Sequence, residues 1–335
     1  MRILLFANTT KALTSQALVC LCAWLEGHGI AHELFSSGIF EEEETRFDEL
    51  SARIQQFDLV CVLGGDGTTL RAAHLVGTTG VPLLSYNFGR LGFLSGASED
   101  DLIPALQSAV EGMLSLDERT MLEVQVTWGD GRTTRQIALN ELAISRGHFG
   151  RILALDLFIN GTLIDTIQGD GVLVSTPTGS TAYSLSAGGP IIAPGHEGLC
   201  VVPISPHSLT TRAIVTAPHD VIRLVPNERN RQQLVLFIDG EVFWINPATR
   251  HATTTPSANR TASAAVLPTA AALSLANRTA FADQAQEQEQ VKGEIASVEV
   301  RPCAQKLKLV RFGDYDFYDH ISRTFFGGKG ESHDR

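Results

Sequence analysis

The 335-residue sequence has little cysteine: Cys20, Cys22, Cys61, Cys200 and Cys303 form an odd, scattered set without a Cys-x-x-Cys pair. This argues against a disulfide framework and a cysteine zinc site, fits reduced thiols, and makes the cytoplasm the expected compartment. Basic charge is also short, since 26 Lys and Arg against 37 Asp and Glu leave a formal net charge of -11 and a pI near 5.4. Nucleic acid and anionic membrane both reward clustered Lys and Arg, so neither is an expected partner, although a local basic pocket stays open. No stretch reaches the ~18 apolar residues of a membrane span. The opening MRILLFANTT loses its apolar run at Asn8, Thr9 and Thr10, short of signal-peptide length. The phosphate-loop pattern Gly-x-x-x-x-Gly-Lys-Ser/Thr is missing as well.

What is present suits a soluble protein of two domains, because 44% of the residues are hydrophobic and the chain is long for one core. In the first part, apolar runs at 2–8, 30–35, 58–65 and 81–89 read as strands. Helical spacing at Leu18, Leu21, Trp24 and Leu25, and the pattern TTLRAAHLVG, place helices between them. This alternation predicts a Rossmann-like, doubly wound α/β domain over 1–117. Ser98 and Asp101 are expected to form a capping box opening a further helix in EDDLIPALQSAVEGM. From about Leu116 strand-like runs alternate with turn dipeptides such as Asn160-Gly161 and Asp239-Gly240, predicting a mainly-β domain over 118–311. Its Ala- and Thr-rich stretch 248–290 reads as a mobile insertion. The strand-like EIASVEVRP and KLKLVRF follow, and DYDFYDHISRTFF is expected to return to the first domain as a helix within 312–330.

The tripeptide Gly-Asp-Gly occurs at 65–67, 129–131 and 169–171. The copy at 129–131 lies between two strand runs and reads as a hairpin turn. The copy at 169–171 opens an apolar strand and is followed by a crowd of Ser, Thr and Gly, small groups able to recognise ribose hydroxyls and amides. Only at 65–67 does a buried strand run directly into a helix. That puts Asp66 at the carboxyl edge of a sheet, with the amides of Gly67, Thr68 and Thr69 at a helix start that favours phosphate. Capping that helix is the alternative role for Asp66.

The motifs in order resemble those of the NAD kinases. LGGDGTTLRAA, NFGRLGFLS (87–95), LNELAISR (139–146) and DGVLVSTPTGSTAYSLSAGGPI carry the likeness; VVPISPHSLTTR (201–212) and KLKLVRF extend it. It covers about 2–245 and 292–325. The glycine-aspartate motif alone is shared with diacylglycerol and sphingosine kinases and phosphofructokinases, whereas the long Ser-Thr-Pro-Thr-Gly-Ser-Thr-Ala-Tyr-Ser segment decides among them.

The resemblance implies phosphorylation of the 2′-hydroxyl of the adenosine ribose of NAD by ATP, giving NADP, with Asp66 as general base. A divalent cation, Mg²⁺ by default, would be carried with ATP, and polyphosphate is a further donor to consider. Gly67 would set backbone against the substrate and Arg71 could pair with a phosphate. Asn140 and Glu141 would hold the adenine or ribose portion, Asp170 the nicotinamide end, and Thr181, Ala182, Tyr183, Ser184, Leu185 and Ser186 the adenine and ribose pocket. Arg151 stands where relatives place a nucleotide-contacting side chain, whereas His207 is expected to be structural. Gln168 and Glu241 depart from the Arg and Gln that some members carry at those positions. A homodimer or homotetramer is implied. A lipid kinase with the same loop and a non-catalytic NAD(P) sensor are the competing classes; the acidic chain offers no basic amphipathic helix for the first.

Overall fold

The computed structural model describes residues 1–37, 43–89, 92–113, 115–146, 152–227, 234–245 and 294–327. The expected insertion at 248–290 and Arg151 therefore lie outside the described residues. Strand β1 (Arg2–Asn8) is followed by α1 (Ala12–Gly27), β2 (Ala31–Ser37), α2 (Glu43–Ala52), β3 (Leu59–Leu63), α3 (Asp66–Val76) and β4 (Leu83–Asn87). Next come β5 (Ala97–Ser98), α4 (Leu102–Val110) and β6 (Ser115–Arg119). The sheet order is β2-β1-β3-β4-β19-β6, where β19 is Leu307–Arg311 near the chain's end, and β5 pairs beside β4. Strands β1 to β4 are mutually parallel.

All five residues of β3 are buried, as a strand covered on both faces requires. Leu21, Leu25, Leu106 and Ala109 of α1 and α4 pack on one face, and Leu50, Ala72, Leu75 and Val76 of α2 and α3 on the other. Because β2 lies on one side of β1 and β3 on the other, the strand order reverses between β1 and β3. The crevice beyond their carboxyl ends is where open α/β sheets bind ligands.

Helix α2 escapes the hydrophobic pattern because EETRFDELSA presents few apolar positions. The helix expected to open at Ser98 begins instead at Leu102. Ser98 donates through Oγ (2.5 Å) and backbone N–H (3.3 Å) to Asp101 Oδ2, but Ser98 itself belongs to β5.

The remaining strands are β7 (Leu122–Trp128), β8 (Thr133–Ala138), β9 (Glu141–Ser145), β10 (Leu153–Ile159), β11 (Thr162–Gly169), β12 (Gly171–Ser175), β13 (Cys200–Ile204), β14 (Ile214–Val215), β15 (Ile222–Pro226), β16 (Val235–Ile238), β17 (Glu241–Ile245) and β18 (Ile295–Pro302). They form two six-stranded sheets, β11-β10-β15-β18-β7-β8 and β14-β13-β12-β9-β16-β17. Alternate residues such as Val124, Trp128, Leu142, Ile144, Val172, Leu224 and Val298 fill one core between them, so the two sheets form a sandwich. A short helix α5 (Tyr183–Ser186) follows β12, and α6 (Phe317–Phe325) closes the described chain. The first sheet takes in Ser115–Arg119, which spans the expected boundary at 117, and Leu307–Arg311, which lies before the expected return at 312.

The chain crosses between the sandwich's sheets at two places that matter below. The strand-like run TTRQIALNELAISR breaks at Leu139 and Asn140, passing from β8 to β9, and Asp170 separates β11 from β12.

Leu224 is fully buried in this shared core, so Leu224→Ala should cost about 2–5 kcal/mol, read as a lowered denaturant midpoint in equilibrium unfolding.

Candidate active site

Strand β3 ends at Leu63, and Gly65 is the residue before α3. The first helical hydrogen bond runs from Thr69 N–H to the Gly65 carbonyl (3.0 Å), so the Thr69 amide is already engaged. The amides that the helix itself leaves without acceptors are those of Asp66, Gly67 and Thr68, one residue earlier than expected. Thr69 is instead a buried anchor, its Oγ1 2.6 Å from Ser85 Oγ of β4. Gly65 and Gly67 border open space, which gives a ligand access to this helix start.

The segment after β4 folds over Asp66. A methyl group on Gly92 would overlap the Asp66 carboxylate, so only glycine fits there. Burial raises the Asp66 pKa, outweighing the backbone amides of Phe93 and Leu94 and the charges of His320 and Arg311, which act to lower it. Its Oδ1 is buried without a hydrogen-bond partner.

Arg311, at the end of β19, holds that covering segment. Its guanidinium donates to the carbonyls of Ser95 and Phe93 (the latter 3.1 Å), and through Nε and Nη2 to Asp117 Oδ2 at 3.1 and 3.0 Å. It also lies 4.0 Å from the centroid of the Tyr315 ring. Buried Arg119 donates to the same Asp117 oxygen (2.7 Å) and to Thr178 Oγ1 (3.3 Å) in the Ser/Thr segment. Burial alone would raise the Asp117 pKa, but the two guanidiniums hold it below the ordinary carboxylate range. From α6, His320 meets Phe93 edge to face, ring centroids 4.4 Å apart.

The second half of the site lies on the outer face of the β12–β9 pair. Glu141 and Ala143 alternate with the core residues Leu142 and Ile144, which places them on that face, and Ser175 is the register partner of Glu141. Glu141 is buried, not at a sheet edge; its Oε2, like Ser175 Oγ and Ser184 Oγ, is buried without a hydrogen-bond partner. Burial, reinforced by the charge of Asp239, pushes the Glu141 pKa up to about 8.

Asp170 stands beyond the other end of the same strands, with Arg146 Nε 2.7 Å from its Oδ1. That cation comes from the residue after β9, whereas Gln168 is exposed and its carbonyl accepts the His207 N–H (2.8 Å). Strands of this length separate Glu141 and Asp170 by roughly 16 Å, a track for an extended ligand. Burial, reinforced by the charges of Glu141 and Asp170, raises the pKa of the half-exposed Tyr183. Of the other segment residues, Thr181, Ala182 and Leu185 are partly buried, Ser184 is buried and Ser186 is exposed.

The Asn140 junction is tied on both sides. Asp239 Oδ2 accepts the Leu139 amide (2.7 Å), and its Oδ1 accepts those of Asn140 (2.7 Å) and Glu141 (2.9 Å). Thr176 donates through Oγ1 to the Leu139 carbonyl (2.5 Å) and through its amide to that of Asn140 (2.8 Å). Asp239 and Gly240, with φ of 48° and 82°, make the expected tight turn. Sequence showed that turn but not what its carboxylate grips. The Arg71 guanidinium lies 5.6 Å from the centroid of the Phe47 ring of α2. At 129–131, Gly131 has φ of 85° and Asp130 Oδ1 accepts the Arg132 amide (3.0 Å), as a hairpin turn requires.

A carboxylate at a phosphate-ready helix start, joined to an extended polar track on a β sandwich, is the layout of a nucleotide-binding phosphotransferase. A model of the ATP-NAD kinase N-terminal domain matches residues 8–114, and one of the ATP-NAD kinase C-terminal domain matches 139–250. The NAD kinase of Caldanaerobacter subterraneus subsp. tengcongensis is 40% identical over 238 residues, 70% of this chain and 83% of that protein. That of Heliobacterium modesticaldum is 36% identical over 234 residues, 70% and 82% of the two chains. Yeast NADH kinase, solved with NADH, shares the fold with a TM-score of 0.71 at 21% identity, over 99% of this chain and 89% of that one. An NAD kinase from Archaeoglobus fulgidus, solved with ATP, does so with a TM-score of 0.62 at 20% identity over 98% of each. The chain belongs to the NAD kinase family.

Because Glu141 has a folded pKa of about 8 against an ordinary 4.5, the unliganded fold binds a proton that the unfolded chain has released between those values. Stability from this group is therefore full below the lower value and declines as pH rises toward the upper one. Glu141→Gln should remove that decline: its melting temperature relative to wild type should rise between pH 5 and pH 8.5. Arg311→Met, which unpairs the Ser95 and Phe93 carbonyls, should cost about 3–5 kcal/mol and lower turnover, measured by thermal unfolding and by initial rates.

Proposed function

We propose that the protein transfers the γ-phosphoryl group of ATP to the 2′-hydroxyl of the adenosine ribose of NAD, with Asp66 as the general base. The observation that carries this assignment is the buried, unpartnered Oδ1 of Asp66 at the start of α3, beside the β1/β3 crevice. A carboxylate whose pKa is lifted by burial accepts a proton more readily than an ordinary one, which is what an alcohol nucleophile needs. The amides of Gly67 and Thr68 favour a phosphate at the same place. Phosphoryl transfer gains most from alignment and charge stabilisation. The track from Glu141 to Asp170 under Tyr183 supports the binding of a dinucleotide. There Asn140 and Glu141 would hold the adenosine side, Asp170 the nicotinamide side, and 181–186 the wall between them.

A divalent cation fits this donor set as a companion of the nucleotide. Among the described residues no three His, Cys, Asp or Glu side chains converge; the cation would be held by phosphate and water oxygens, the hard ligands that Mg²⁺ accepts. The cation would neutralise phosphate charge. Exposed Ile152, Leu163, Ile164, Leu209 and Val215 on the β sandwich support a homodimer or homotetramer. Among the described residues no helix is long and apolar enough to cross a membrane, and the five free cysteines fit a reducing cytoplasm.

Purified protein given NAD, ATP and Mg²⁺ should form NADP, detected with an NADP-specific dehydrogenase; no product, with polyphosphate tried as donor too, would refute the assignment. Asp66→Asn should keep the fold and lower kcat by about 10²–10⁴. The acid limb of the wild-type rate profile should lie above the ordinary aspartate range and vanish in that variant.

A further inference from the structure

His74 occupies the last turn of α3, eight residues after Asp66 and so about 12 Å along the helix axis. Its Nε2 is 2.8 Å from Asp239 Oδ2. The Asp239 side chain is 1% exposed, and its two oxygens already receive the three amides of the Asn140 junction. Leu139, the first residue of that junction, is buried in the same cluster as Leu75 and Val76 of α3. A single carboxylate thus bridges the helix that starts with Asp66 and the backbone that presents Asn140 and Glu141. The α/β domain supplies the histidine and the β domain supplies the carboxylate.

Resting on the functional reading above, we propose that His74 is a positioning residue for the acceptor nucleotide. Through Asp239 it fixes the Asn140–Glu141 junction against the Asp66 helix, and so sets the distance between the bound ribose and its base. Asp239 is too buried to be left with amides alone at no cost, and its charge already opposes ionisation of Glu141. A protonated His74 offsets that charge. The charged groups acting on His74 are Asp239 and, from β17, Glu241; together they outweigh burial and raise its pKa. With a raised folded-state value, the ionic part of the clamp is complete below the ordinary histidine range and is lost as pH rises through the folded pKa. The hydrogen bond itself survives in the neutral tautomer that keeps its proton on Nε2.

The test compares His74→Ala with His74→Gln, whose amide keeps a donor but no charge. Misplacement of this kind should raise KM for NAD about tenfold in His74→Ala, and His74→Gln should return it to within about threefold of wild type. Both variants should lose the wild-type decline in kcat/KM on the alkaline side. Overturning results are a wild-type KM and pH profile in His74→Ala, including the case where only its melting temperature falls. Wild-type protein that forms no NADP would sink the functional reading instead. The clamp would then be decided by NAD affinity in equilibrium dialysis, where an unchanged Kd in His74→Ala would overturn it.

Discussion

The Arg311 guanidinium is the contact on which the arrangement around Asp66 depends. It joins three segments far apart in sequence: the strand near the chain's end, the covering segment after β4, and Asp117 in the strand leading to the sandwich. Two guanidiniums share one Asp117 oxygen, so the cluster keeps an excess of one positive charge in a protein whose formal net charge is -11. That local surplus lowers the cost of an ionised Asp66, and with the helix start it gives an anionic ligand a favourable place on an acidic chain.

Burial and pairing sort the carboxylates into roles. Asp117 is paired twice and stays ionised, whereas Asp66 and Glu141 are buried with an unpartnered oxygen and titrate above their ordinary range. Asp239 receives a complete set of donors and acts as a structural clamp. The difference between a carboxylate that holds the fold and one that handles a ligand is therefore whether its oxygens are already occupied.

Much of the fold was legible because burial imposes period. The fully apolar run LVCVL and the largely apolar LLSYN mark strands covered on both faces, and alternation in LEVQVTW marks a sandwich strand. Helix α2 was not legible, since EETRFDELSA places few apolar residues on its buried side. The run through Leu139 and Asn140 reads as one strand because the apolar residues Ile137, Ala138 and Leu139 lead directly towards Leu142, Ala143 and Ile144; the break exists only because the two halves belong to different sheets. In the site, Asp66, Glu141 and Asp170 stood out as carboxylates set in apolar or glycine-rich runs. His74, Asp117, Arg119, Arg146 and Arg311 did not, because a lone charge near a strand or helix end has many ordinary explanations. Arg311 gave the one usable signal, a cation set between the apolar residues Val310 and Phe312.

By itself the sequence determined the family, the α/β-then-β order, and which Gly-Asp-Gly joins a buried strand to a helix, since these follow from local pattern and motif order. Tertiary structure decided the rest. It separated an occupied carboxylate from an open one, brought the chain's end back as a strand beside β4, and paired His74 with Asp239 across 165 positions of sequence. Such pairings depend on how whole domains pack, and neither partner's neighbours along the chain carry any mark of the other.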